Sequence, residues 1–290
     1  MLRLRYFKVM VGGIILAALV VCGLAAPLLA PFDPQEQRLE SRLQAPAWSG
    51  GRAQANLLGT DNLGRDILSR IVYGSRISLL VGATTVVLAG LVGCFLGAVA
   101  GYFGKSVDEV VGKITEIFLA FPFLLLAIAL MAFLGQGVIN IIIALMVSRW
   151  VQYCRVVRGE VLSLKERDFV TAAKALGARD FYVLLRHVMP NTLASITVVA
   201  TFAMAIVIIS EASLSFLGLG VPAHIPTWGS MLSEGRSYMN RAPWLTIFPG
   251  IAIFVTVFGI NLLGDGLRDA LDPRAVGRYG GRAVAARDDA

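Results

Sequence analysis

In the stretch IISEASLSFLGLG, Glu211 interrupts an otherwise apolar run. A carboxylate at membrane depth is costly, which makes it a functional group by default: a proton or cation site, a gate, or a hydrogen-bond acceptor. Glu116 and Arg149 sit near the ends of other apolar runs, and Asp265 closes the last one. Ion-coupled carriers place midplane carboxylates on broken helices in matching halves. One Glu does not make that arrangement. Glu211 therefore reads as a structural hydrogen-bonding or gate-lining residue, with a stand-alone ion-coupled carrier as the alternative of a different class.

Other chemistry finds little support. GYFGKS ends in Gly104, Lys105 and Ser106, but a phosphate-binding loop needs a glycine five positions before Gly104, where Val99 stands. It also needs a preceding strand. No HExxH, GxSxG or metal-spaced cluster of His, Cys and carboxylates occurs. The two histidines, His187 and His224, have no partner nearby in sequence. Cys22, Cys94 and Cys154 lie in or beside apolar runs, form no CxxC pair, and read as packing residues. The chain is expected to be no enzyme and to hold no metal.

The elements that carry these residues are membrane spans. Of 290 residues 57% are hydrophobic and 16% charged, and the mean hydropathy is +0.73. An ordinary soluble domain has about 25% charged residues. Six spans are predicted, over about 9–31, 77–103, 114–134, 138–155, 193–219 and 244–264. The run after MLRLRYFK is longer than a signal-peptide core and reads as a retained span. Pro122 and Pro249 are expected to bend the third and sixth spans. With both termini in the cytoplasm, seventeen of the 26 Lys and Arg fall inside and eight outside, as the positive-inside rule requires. The net charge of +7 reflects that bias rather than nucleic-acid binding, since no basic run interleaves with aromatics.

Two further patterns concern packing. Ala89, Gly93, Gly97 and Gly101 recur every four residues, a spacing that lets membrane helices approach closely. A contact inside the subunit is expected, with a partner-subunit interface as the alternative. Before the second span, Leu63, Ile67, Leu68, Ile71 and Val72 form an apolar stripe, with Arg65, Asp66 and Arg70 off it. A helix lying along the membrane surface is expected there.

The most polar stretch is TAAKALGARDFYVLLRHVMPN, residues 171–191. A helix is predicted over 160–176, ended by Gly177 in the left-handed conformation. Asp180 is expected to cap a second helix, Phe181 to Val188, which Pro190 stops. Ala172, Ala173, Ala175 and Ala178 keep the turn slim enough to enter a groove on another protein, where Arg179, Phe181 and Tyr182 could anchor it.

This stretch resembles the EAA motif of bacterial ABC import permeases. Ala172, Ala173, Gly177 and Pro190 match, and Thr171 stands where the motif carries glutamate. LLGTDNLGRDILSRIVYGSRISLLVG, VVRGEVLSLKERDFVTAAKALGA, EASLSFLGLGV and NLLGDGLRDALDPR extend the resemblance over nearly the whole chain, to the C-type subunit of dipeptide and oligopeptide permeases. The resemblance implies an all-α, type I importer permease of six spans. Its core would cover 75–268, with a coupling loop over 156–191, after an N-terminal span and outer segment over 1–74. A flexible tail over 269–290 would follow. It further implies a bacterial inner-membrane location, a second similar permease, two cytoplasmic ATPases that bind ATP and Mg, and an extracytoplasmic solute-binding protein. Thr171, Ala172, Ala173, Gly177, Ala178, Arg179, Asp180 and Pro190 would form the ATPase-coupling element. The architecture also serves nickel and glutathione uptake.

Overall fold

The computed structural model describes residues 2–49 and 56–271. The tail expected to be flexible lies almost wholly outside them. Among the described residues the chain is helical, apart from one isolated bridge between Thr60 and Asp66. Its helices are α1 (Leu2–Leu24), α2 (Ala26–Leu29), α3 (Ile67–Phe103), α4 (Lys105–Leu119), α5 (Phe123–Leu134), α6 (Val138–Leu164), α7 (Asp168–Ala175), α8 (Asp180–Val183), α9 (Met189–Phe216), α10 (Trp228–Arg236) and α11 (Trp244–Leu271).

Among the described residues five segments are long and apolar enough to cross a membrane, built on α1, α3, α6, α9 and α11. The bend expected in the third span, over 114–134, is present. Chain direction turns 85° between α4 and α5, and the break covers residues 120–122, with Pro122 immediately before the first residue of α5. A proline disfavours helical backbone in the residue before it and lacks the N–H that the ladder needs. At Pro249 no break occurs, and α11 runs through it.

The expected surface helix before the second span is instead the start of that span. Asp66 caps α3, accepting from Ser69 N at 2.8 Å, and the helix runs 37 residues without interruption. At 1.5 Å per residue it is about 55 Å long, far more than a hydrocarbon layer of about 30 Å. Its first turns belong to a folded layer at the end of the bundle opposite α7 and α8, here the outer layer. Ile67 and Val72 are buried there, and so are Arg65 and Arg70, which amphipathicity alone would place in solvent. At the other end, Gly104 (φ 63°) and Lys105 (φ 46°) reverse the chain into α4.

The small-residue stripe faces α6 of the same subunit. A Cβ at Gly93 would lie 2.6 Å from Tyr153 Cβ and nearer still to the Trp150 carbonyl oxygen. A Cβ at Gly97 would lie 3.0 Å from Cys154 Cα, and one at Gly101 2.9 Å from the Arg158 oxygen. Ala89 packs with Tyr153 and Ala203. Close approach of α3 and α6 thus depends on missing side chains. A second such contact joins α1 and α11, where Gly12 meets the backbone of Leu263 and Gly259 meets Ile15.

Candidate functional site

The polar stretch folds as two short helices at one end of the bundle, the end that also holds the first turns of α1 and the last turns of α11. Its first helix departs from expectation. The chain leaves α6 after Leu164, turns through 165–167, and restarts as α7. Lys165 caps α6 and its Nζ donates to the Gly101 oxygen at 3.2 Å. The break lets Val170 turn inward, where it packs with Tyr102, Val161, Val183 and Val188.

Gly177 has φ +85°. Its N–H donates to the Lys174 oxygen at 2.9 Å and the Ala178 N–H to the Ala173 oxygen at 3.1 Å, which is the Schellman pattern of helix closure. A Cβ at Gly177 would meet no atom within 4 Å, so the turn surrounding it stands clear of the rest of the subunit. Thr171, Ala172, Ala175 and Leu176 are exposed, Leu176 by 90%. Sequence reasoning passed over Leu176, although it sits inside the motif between Ala175 and Gly177. Phe181 and Tyr182 are each 56% exposed, and Arg179 is exposed beside them. Together these residues form an apolar knob with a slim tip and a basic edge.

Asp180 does not cap α8. Arg179 occupies the cap position without a side-chain bond, and Asp180 lies in the first turn. Its carboxylate is drawn elsewhere: Tyr102 Oη donates to Asp180 Oδ1 at 2.9 Å, and Lys174 Nζ lies 3.1 Å from the same oxygen. Lys174 also sits 4.8 Å above the Tyr102 ring. The Asp180 carboxylate holds the Lys174 ammonium above its usual range. This clamp ties the α7–α8 turn to the end of α3, and Tyr102 and Lys174 are members that spacing did not reveal. Their partners converge from 78 residues apart.

Pro190 does not end a helix either. Leu184–Val188 forms a π-turn, with the Met189 N–H donating to the Leu184 oxygen. The wider turn makes room for a ring that would otherwise strike the carbonyl four residues back. The helix therefore continues from α8 into α9, and Asp180–Phe216 is a single 37-residue segment. The α7–α8 turn is therefore joined without a break to an apolar helix long enough to cross a membrane.

Glu211 lies deep in α9 and is wholly buried. Its carboxylate accepts from Ser78 Oγ of α3 at 3.1 Å and from Ser215 Oγ at 2.8 Å. It joins two spans through hydroxyls, and no salt bridge to it occurs among the described residues. Nearby, α10 folds back into the outer layer. Thr227 and Ser230 form a capping box, Trp228 Nε1 donates to the Ile71 oxygen at 3.0 Å, and Gly229 sits against Ala212.

At that outer end lies a charge cluster that sequence analysis missed. Arg65 Nε donates to Asp61 Oδ2 at 2.6 Å and Arg65 Nη2 to Glu234 Oε2 at 2.6 Å. Arg70 Nη1 reaches Asp61 Oδ2 at 2.6 Å and Glu234 Oε2 at 2.8 Å. Asp61 also accepts from the Leu63 and Arg65 N–H groups. Two cations and two carboxylates thus pin the start of α3 to α10. Glu234 is 164 residues from Arg70, so no local pattern could pair them.

This architecture is that of a type I ABC importer permease. A chain of the MetNI methionine ABC transporter, in an inward-facing conformation, superposes with a TM-score of 0.58 over 71% of this chain and 98% of its own, at 17% identity. The family model described as binding-protein-dependent transport system inner membrane component matches residues 93–277, and the chain belongs to that family. A model for the N-terminal transmembrane domain of oligopeptide transport permease C matches residues 9–46. A di/tripeptide transport system permease protein of Pseudomonas aeruginosa is 43% identical over 91% of this chain and 87% of its own length. An oligopeptide transport system permease protein of Bacillus subtilis is 40% identical over 94% and 88%. A glutathione transport system permease protein of Pectobacterium atrosepticum is 41% identical over 93% and 88%.

Proposed function

We propose that this chain imports di- and oligopeptides as one of two permease subunits, with two cytoplasmic ATPases below and an extracytoplasmic binding protein above. The observation that carries the reading is the exposed α7–α8 knob, built on a motif of coupling elements and continuous with a transmembrane helix. Both termini and the knob lie in the cytoplasm, in keeping with the Lys and Arg bias. ATP and Mg bind to the ATPases and not to this chain. Closure of the ATPase pair moves the knob and, through the continuous α8–α9 segment, the spans. The transporter is then a two-state element whose equilibrium is set by ligands on its partners.

Peptide as the substrate is supported by relatives above 40% identity along most of the chain. Glutathione is a second reading, favoured by the Pectobacterium relative. It is itself a tripeptide, so both readings share a substrate with free carboxylates and amide bonds. Gentle solubilisation of native membranes with a tag on this chain tests the assembly. Co-purification of two ATPases and a second permease is expected. Recovery of this chain alone, as a functional homo-oligomer, would overturn the reading.

A further inference from the structure

Arg149 is not near the end of its span. Because α6 continues to Leu164, Arg149 lies eleven residues from Val138, about 16 Å along the helix axis. That is close to the middle of a hydrocarbon layer of about 30 Å. An arginine at such depth is costly and is found facing a water-filled cavity or a partner.

The surroundings of Arg149 offer no fixed anion. Its guanidinium stacks 3.7 Å from the Phe123 ring centroid, Nη1 lies 3.4 Å from Gln152 Oε1, and Nε is buried without a hydrogen-bond partner. No carboxylate pairs with it among the described residues. Arg149 opens instead on a cavity of about 460 Å3, lined by Leu119, Phe123, Ser148, Gln152 and Arg155 among others. That volume is in the range of small-ligand sites, about 300–1,000 Å3. The cavity sits where the α4–α5 span is broken, so the wall opposite α6 is not a continuous helix. Ser148, Gln152 and Arg155 continue one face of α6 at helical spacing, and Gln152 and Arg155 are exposed. Arg155 lies about 9 Å further toward the α7 end. Two cations in succession, neither locked to an acid, suit an anion that must arrive and then leave.

We propose that this cavity is a carboxylate-binding station on the substrate path. Arg149 receives the C-terminal carboxylate of a peptide, and Arg155 receives it next on the way to the cytoplasm. The guanidinium fork matches a carboxylate in two parallel hydrogen bonds, and Ser148 and Gln152 offer hydrogen bonds to the adjoining amide. The inference rests on the peptide reading above. An acidic side chain of the second permease is the competing occupant.

The test uses the complete transporter with its binding protein, reconstituted in proteoliposomes, with trialanine as the probe. ATP-driven uptake, binding-protein-stimulated ATP hydrolysis and complex assembly are measured for wild type, Arg149→Gln, Arg149→Lys and Arg155→Gln. Arg149→Gln is expected to lose at least tenfold in uptake while keeping assembly and stimulated hydrolysis. Arg149→Lys is expected to recover part of the uptake, and Arg155→Gln to show a smaller loss. Undiminished uptake by Arg149→Gln would overturn the station and leave the peptide reading standing. Failure of Arg149→Gln to assemble, with assembly restored in Arg149→Lys, would assign the charge to a subunit contact and overturn the station. A wild-type transporter that takes up no di- or tripeptide would overturn the peptide reading and, with it, the ligand assigned here.

Discussion

Replacing Gly93 with alanine adds one methyl group to the tightest contact between α3 and α6. The new Cβ would sit 2.6 Å from Tyr153 Cβ, whereas carbon atoms pack at about 3.5–4.0 Å. The deficit is about 1 Å, and it is taken against a helix backbone that cannot rotate away, because the Trp150 carbonyl oxygen is nearer still and the Cys154 nitrogen lies at 3.0 Å. Overpacking of this kind costs about 1–3 kcal/mol. Alanine also favours the helix over glycine by about 0.5–1 kcal/mol, which would hide part of the loss. Gly90→Ala supplies the correction, since its Cβ would meet Tyr153 Cε1 at an ordinary 3.5 Å. The propensity gain is common to both variants, so Gly93→Ala should be less stable than Gly90→Ala by about 1–3 kcal/mol. Thermal unfolding of the purified complex in mild detergent, followed by size-exclusion recovery, reads that difference. The double variant Gly93→Ala/Gly97→Ala should cost less than the sum of its parts, because one withdrawal of α6 relieves both clashes. Equal stability of Gly90→Ala and Gly93→Ala would refute the packing argument.

Three other outcomes follow from the same geometry. Gly177→Pro cannot adopt φ +85° and loses the N–H that closes α7, so ATP-driven uptake should vanish while the subunit remains inserted; uptake at the wild-type rate would remove the coupling role. Asp61→Ala takes a shared acceptor from Arg65 and from Arg70, which is only 2% exposed, and should destabilise the outer layer by about 3–5 kcal/mol, seen as faster protease cleavage of that layer in intact complexes. Glu211→Gln keeps an acceptor for Ser215 and can donate to the Ser78 hydroxyl, so substantial uptake should persist; complete loss with normal assembly would point to ion coupling through this residue.

Much of the molecule was legible because its signals are local. Apolar run length marked the spans, and the four-residue recurrence from Ala89 to Gly101 marked a close helix contact. Gly177 and the alanines around it marked the exposed turn, since a left-handed residue and small side chains act within a few positions of themselves. What escaped the sequence was decided by partners distant in the chain. Asp180 has the chemistry of a helix cap, yet Tyr102 and Lys174 draw its carboxylate away. Pro190 has the chemistry of a helix stop, yet a π-turn absorbs it and keeps α8 joined to α9. Arg65 and Arg70 have the exposed pattern of an amphipathic surface, yet Asp61 and Glu234 bury them. By itself the sequence determined which segments leave water and where the chain must turn, because transfer free energy and backbone sterics belong to each residue and its near neighbours. Only the tertiary structure decided which polar groups are paired, because a hydrogen bond or ion pair needs a second group whose position depends on how the whole chain packs.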